Sequence, residues 1–348
     1  MKNIVFFLND IQDMWLISYL LRPGSHVLYR RTGKITSPHF HLKTLDYLKL
    51  NLVEVTGEKD PQFISALENC DYFVTKECLP FHGEHRFREK VISIGWFAEG
   101  VHLPGINHPV PGGEKGYNIR DAYLRHYIAE EGIPFLKYLG YENVFGKSPK
   151  YYCLNMFDRE SACQRLGLDP ARKYMMIMPN PIYDFSQENI EILRAITEYC
   201  NRNSIAAILK NKMKYGEFLK DQIENAVFLG GNDLVVHQTL LALNICEFSV
   251  GRVTCAVAES ERVGGRFISL WREEAVTHDD GMEKVYDDVH RIGADYRIVR
   301  SDNILTVHNK TQLVDIRDRL FEFMKNSSAQ NFSKHHEIDE FIGKNILS

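Results

Sequence analysis

The sequence predicts an α/β protein built from two Rossmann-like domains that face each other across a cleft. Three observations support this. Apolar runs of strand length alternate with amphipathic runs of helical spacing, the pattern of βαβ units on a parallel sheet. The alternation pauses at residues 146–151 (GKSPKY), a linker-like stretch, and then restarts. The 348 residues suffice for two domains of about 150 residues each, and the pause sets them at residues 1–147 and 148–348.

In the first half, Asn3 to Leu8 reads as a strand, followed by a turn at Asn9-Asp10 and an apolar helical run to about Leu21 that Pro23-Gly24 breaks. His26 to Tyr29 is a second strand, Leu42 to Leu50 a helical stretch, Leu52 to Val55 a third strand and Pro61 to Leu67 a helix. Asp71 to Thr75 and Val91 to Gly95 supply two more strands. Residues 96–118 break the rhythm. They hold Gly100, Gly105, Gly112, Gly113 and Gly116 among prolines, together with Glu99, His102 and His108. Long structureless loops are uncommon and often functional, and one that follows a strand emerges at the carboxyl edge of a parallel sheet. Ile119 to Tyr138 has the composition of a helix.

In the second half, Asp158 is placed to cap a helix over Arg159 to Leu166. Tyr174 to Met178 is a strand that ends at Pro179-Asn180-Pro181, Glu188 to Asn201 an amphipathic helix, and Ile205 to Leu209 a strand that runs into Lys210-Asn211-Lys212. A helical Phe218 to Glu224, a strand Ala226 to Leu229, a turn at Gly230-Gly231 and a helical His237 to Leu243 lead into residues 244–271, where the function is expected to lie. There, Asn244 to Ser249 reads as a buried strand and Gly251 as a sharp turn. Thr254 starts a helix that Gly264-Gly265 end, and Arg266 to Trp271 is another strand. A strand at Asn303 to Val307 and helices at Thr311 to Met324 and Glu337 to Ile346 complete the chain.

Hydrophobic residues at 44% and charged residues at 25% are ordinary for a soluble globular protein. A net charge of -4 carries no footprint of a nucleic-acid binder. None of the seven cysteines forms a CxxC pair and most sit in apolar runs, which reads as buried free thiols in a reducing compartment. The apolar run at the amino end, Ile4 to Leu8, is too short for a signal peptide. No stretch approaches the roughly 20 apolar residues of a membrane span. The expected setting is the cytoplasm, and 17 tyrosines and 20 phenylalanines leave room for an apolar patch and peripheral association with the inner face of the membrane.

The motifs narrow the chemistry largely by exclusion. No GxGxxG follows the first strand, and neither GxxxxGK[ST] nor GxSxG occurs. A dinucleotide dehydrogenase, a P-loop enzyme and an α/β-hydrolase are therefore not supported. His39-Phe40-His41 and His82-Gly83-Glu84-His85 match neither HExxH nor zinc-finger spacing, so no metal site is expected. In a parallel sheet, ligands bind where strands end and helices begin, and the N–H groups and dipole at a helix start favour an anion. Asn180, Lys210, Lys212, Gly230, Ser249, Gly251, Arg252 and Thr254 fall at or near such places in the second half. Each also has a plainer reading: a lysine at a solvated strand end, a helix cap at Thr254, a simple turn at Asn180-Pro181 or Gly230-Gly231.

Over roughly residues 170–275 the order of these pieces resembles the donor domain of GT-B glycosyltransferases. A strand ends in a small polar loop (MIMPNP), a helix follows, a strand ends in lysine (IAAILKNK), and a strand ends in glycine (VFLGG) ahead of the final helix–strand unit. In the branch with the capsule and teichoic-acid transferases, a lysine at a strand end is often followed by His-Pro. Further on, a pair of small hydroxyl residues leads into a helix with a glutamate, then glycine and a strand. Here Lys210 and Lys212 stand at the lysine position without His-Pro, and Ser249 and Thr254 near the hydroxyl positions without being adjacent. Glu259 falls in the helix and Gly264-Gly265 precede the strand.

The resemblance implies transfer of a sugar, or a polyol phosphate, from a nucleotide-activated donor to a carbohydrate or lipid-linked glycan acceptor. The setting it implies is surface polysaccharide assembly, of capsule or lipopolysaccharide type. The donor would be a UDP-, CDP- or CMP-linked co-substrate, with no metal or other cofactor. Lys210, Lys212, Arg252 and the N–H groups near Thr254 are then expected to stabilise charge on the departing phosphate. Glu259 is expected, by the resemblance, to hold the donor ribose; an exposed helix-face carboxylate is its plainer reading. The acceptor hydroxyl loses a proton as it attacks, so a base is expected from the first half. Asp10 at the first strand's end, and Glu99, His102 and His108 in the unusual loop, are the candidates, each with a plainer reading as a turn residue. Three rivals stay open: a nucleotide-sugar 2-epimerase or hydrolase of the same architecture, a non-catalytic nucleotide-binding module, and an α/β protein that binds some other phosphorylated ligand.

Overall fold

The computed structural model describes residues 2–9, 11–32, 37–57, 59–76, 90–94, 126–128, 143–145, 149–178, 187–210, 226–229, 238–252, 256–270, 301–308, 311–328 and 340–348. They build two sheets. The first holds β1 (Ile4–Leu8), β2 (His26–Arg30), β3 (Asn51–Val55), β4 (Tyr72–Lys76), β5 (Val91–Ile94), β6 (His126–Ile128) and β7 (Asn143–Phe145), in the order β3-β2-β1-β4-β5-β6-β7. The second holds β8 (Lys173–Met178), β9 (Ile205–Lys210), β10 (Val227–Leu229), β11 (Phe248–Arg252), β12 (Phe267–Leu270) and β13 (Ile304–Val307), in the order β10-β9-β8-β11-β12-β13. Every strand pair among them is parallel.

Successive strand residues point to opposite faces, so a strand covered on both sides is apolar throughout. In β8, Tyr174, Met176 and Met178 join one core cluster with Leu241 and Val257, while Met175 and Ile177 join another with Ile192, Ile196 and Leu320. In β1, Phe6 and Leu8 face a cluster with Met14 and Leu42, and Val5 and Phe7 face one with Phe63 and Phe73. The latter is aromatic: Phe63 meets Phe7 edge-on at 5.0 Å and Phe73 at 5.2 Å. Burying each such ring contributes about 1.5–3 kcal/mol.

The covering helices follow from their periodicity. The helix Gln187–Arg202 buries Ile192, Leu193, Ile196 and Cys200, one stripe of a 3.6-residue repeat. Asp158 caps the helix Arg159–Leu166 as the sequence predicts. Its carboxylate accepts the Ser161 N–H at 2.8 Å, and Ser161 Oγ accepts the Asp158 N–H at 3.0 Å, a reciprocal capping box.

The structure differs from the sequence pattern at three places. Within the expected helix of Ile119 to Tyr138 lies the strand β6, and β7 was not expected at all. Three-residue strands are too short to display a period of two. Asn244 and Ile245 end the helix Gln238–Ile245 rather than opening a strand, and Gly251 sits inside β11, paired with Met178 and Ser269, rather than at a turn. That helix is buried at every position from Leu240 to Ile245, so it has no polar face to set a period. Finally, the linker-like stretch is partly core: Pro149–Met156 is a 3-10 segment in which Lys150 and Tyr151 are buried. The expected loop at 96–118 and helix at 218–224 lie outside the described residues.

The halves are joined more than once. Tyr19, just after the first helix Ile11–Ile17, packs against the second half's core. The last helix, Glu340–Asn345, returns to the first half, where Ile342 and Ile346 share a cluster with Phe6, Leu8 and Met14. Phe341 meets Tyr72 edge-on at 5.9 Å, and Lys2 bonds Asn345. Among the described residues no helix is long and apolar enough to cross a membrane.

Candidate functional site

In the second sheet the chain winds one way from β8 and the other way from β11. Such a reversal opens a crevice between the carboxyl ends of the two strands, where open α/β sheets bind ligands. Here the ends are level, Met178 against Gly251. On the other side of β8, Ile177 pairs with Leu209, which brings Lys210 level with the same edge. Lys210 and Gly251 thus stand two strand spacings apart, roughly 10 Å. Ser249 lies deeper: it is in the body of β11, 1% exposed, with its N–H on the Arg266 carbonyl at 2.9 Å.

Lys210 is the last residue of β9 and is half-buried. Its Nζ donates to Oε1 of Gln238, the first residue of the helix Gln238–Ile245, at 3.4 Å. Burial pushes its pKa down to about 8, since a cation drawn out of water with no counter-charge favours its neutral form. Among the described residues no carboxylate is paired with it.

Glu259 lies on the helix Ala256–Arg262, which follows β11. Its plainer reading as an exposed carboxylate fails: it is 3% exposed. Its Oε1 sits 3.2 Å from Nζ of Lys150, whose side chain is 0% exposed. The same Nζ lies 4.9 Å from the centroid of the Tyr151 ring. The helix ends as the sequence predicts, with Gly264 at φ +75°. Gly265 then lets the next strand pass close, for a Cβ there would lie 2.8 Å from Ser260 Oγ.

The first sheet reverses between β1 and β4. At the end of β1, the N–H of Asn9 donates to Asp13, which is 4% exposed. After β2, the buried Ser37 accepts the Thr32 N–H at 2.9 Å and sits 2.8 Å from His39 Nδ1. Sequence reasoning passed over Asp13, Ser37 and Lys150. For Asp13 a signal existed, a carboxylate in the first helical turn reaching back across the helix start. For Lys150 none did, because its partner is 109 residues away.

Of the residues singled out in the sequence, the structure brings Lys210, Gly251 and Glu259 to one sheet edge and the helix leaving it. Arg252 closes β11 and is described by its backbone. Asp10, Glu99, His102, His108, Asn180, Lys212, Gly230 and Thr254 lie outside the described residues. Among those described, no group of three or more His, Cys, Asp or Glu could hold a metal ion.

No family model matches the sequence, and no curated protein matches it. Solved structures do match. The wall teichoic acid polymerase TagF, 13% identical, superimposes with a TM-score of 0.57 over 99% of this chain and 89% of that one. The fold is GT-B. The same GT-B arrangement recurs in UDP-GlcNAc 2-epimerase from Neisseria meningitidis bound to UDP-GlcNAc, 9% identical, TM-score 0.51, covering 94% of each chain. It recurs in S. aureus MnaA in its co-structure with UDP, 9% identical, TM-score 0.52, covering 100% of this chain and 95% of that one. At such identities the likeness establishes the GT-B fold alone, and with it the two-domain α/β architecture that the sequence predicts.

Proposed function

We propose that the protein is a glycosyltransferase that moves a sugar, or a polyol phosphate, from a nucleotide-activated donor to a carbohydrate or lipid-linked glycan acceptor. One observation carries the reading: Lys210, a half-buried lysine with no carboxylate partner among the described residues, sits beside the strand reversal of a GT-B sheet. A phosphate placed there supplies the missing negative charge, and the lysine stabilises that phosphate as it departs with a second charge developing on it. Lys212, Arg252 and the N–H groups near Thr254 complete the phosphate site, with Asn180, Gly230 and Gly251 shaping its walls and Ser249 packed behind them in the body of β11, and Glu259 takes the ribose. The general base comes from the first half, from Asp10, Glu99, His102 or His108. The donor is UDP-, CDP- or CMP-linked, no metal is required, and the work is done in the cytoplasm at the inner face of the membrane, in surface polysaccharide assembly.

Thermal-shift titration with CMP, CDP, UMP and UDP tests this, because a ligand that binds only the folded state raises the melting temperature. At least one of the four is expected to raise it, and silence from all four would overturn the reading. A second reading has a specific support, the shared fold of the Neisseria 2-epimerase. Incubation with donor alone separates the two: an epimerase brings the donor to an equilibrium mixture of epimers and a hydrolase consumes it, each without acceptor, and a transferase does neither.

A further inference from the structure

We infer that Lys150 is a positioning residue of the donor site, holding the Glu259 carboxylate ionised and oriented for the donor ribose, a role that rests on the donor reading proposed above. Lys150 comes from the segment that joins the two sheets, yet its Nζ reaches Glu259 Oε1 at 3.2 Å with both side chains withdrawn from water. The approach is fixed on both sides. Tyr151, Cys153 and Leu154 of the joining segment lie in the same core cluster as Ala256 and Val257 of the Glu259 helix. Cys153 Sγ closes a turn on the Lys150 carbonyl at 3.0 Å.

The chemistry follows from burial. A carboxylate withdrawn from water favours its neutral form unless a cation stands beside it. Only the ionised form is a pure acceptor, with about four lone-pair sites, and a vicinal diol needs such a group because both of its hydroxyls donate. The Lys150 ammonium on Oε1 therefore favours the ionised form and holds that oxygen in place. Hydrogen bonds to a charged group are also the stronger kind. A lysine serving packing alone would not change the preference for a ribonucleotide over its 2′-deoxy counterpart.

Isothermal titration of the full chain with the nucleotide that binds best among UMP, UDP, CMP and CDP, and with its 2′-deoxy counterpart, tests the role. The wild type is expected to prefer the ribonucleotide by about tenfold or more. In Lys150→Gln the preference falls below about threefold while 2′-deoxynucleotide affinity stays close to wild type, and in Lys150→Arg the preference survives. An unchanged preference in Lys150→Gln, or an equal loss for both nucleotides, overturns the role. Should Lys150→Gln not fold, Glu259→Gln takes its place: its preference should also fall below about threefold, and an unchanged preference overturns the role. Equal wild-type affinity for the two sugars refutes the positioning role and leaves the donor reading standing, whereas no binding of any of the four nucleotides removes the donor reading itself.

Discussion

Two lysines of the second half differ in one respect. Lys150 and Lys210 are both drawn out of water, but among the described residues Lys150 has a carboxylate beside it and Lys210 an amide oxygen. A buried cation with its own counter-charge is a structural device, and its energy is spent inside the fold. A cation at a sheet edge with no carboxylate beside it among the described residues keeps its charge less readily, and burial lowers its pKa to about 8. On the proposed function, the contrast separates a residue that holds the site together from one that would meet the donor's phosphate.

The largest expected effect is on the paired lysine. Lys150→Met removes the cation beside the buried Glu259 carboxylate and should lower stability by about 3–5 kcal/mol, read by urea unfolding. Replacing both partners, Lys150→Met with Glu259→Leu, should recover most of that loss. If the single and double variants are equally unstable, the pair is not what stabilises this region. Next comes the unpaired lysine. Lys210→Ala should leave folding nearly intact and weaken nucleotide binding by about tenfold to a hundredfold, the range for a charge-assisted hydrogen bond, in the same thermal-shift titration.

The pH dependence sharpens the contrast. The folded pKa of Lys210, about 8, lies below its ordinary 10.5, so its charge is present below pH 8 and lost as pH rises through it. Nucleotide affinity should hold steady below pH 8 and fall by up to about tenfold per unit above it. Stability of the unliganded protein should move the other way: between about pH 8 and 10.5 the unfolded chain binds the extra proton, so stability rises with pH. Lys210→Met should flatten both curves. The smallest effect concerns neither lysine. Gly265→Ala puts a methyl 2.8 Å from Ser260 Oγ and should cost about 1–3 kcal/mol as the helix–strand corner adjusts, with little change in nucleotide preference.

How much of this the sequence carried depends on the reach of each interaction. The two doubly wound halves were legible because β1, β2, β8 and β9 are apolar runs bounded by turn residues, and the Gln187–Arg202 helix has a clear stripe. Asp158 and Gly264 were legible because capping is local. The helix Gln238–Ile245 was misplaced at its end because an all-buried helix and a buried strand look alike, and β6 and β7 because three residues give no period. In the candidate site, Lys210 could be named from its place at a strand end. That no carboxylate pairs with it among the described residues could not be, since that depends on what β8 and the Gln238 helix bring beside it. Lys150 looked like part of a solvated tether until the fold carried it 109 positions along the chain to Glu259.

The closing helix has a practical corollary. With Ile342 and Ile346 seated beside Phe6, Leu8 and Met14, the amino-terminal half is not self-sufficient. A fragment that stops near residue 148 would leave that groove bare and greasy, prone to clump, and adding residues 340–348 as a peptide should cover it. Anyone wishing to study the first half in isolation would do better to graft the tail back on than to cut the chain in two.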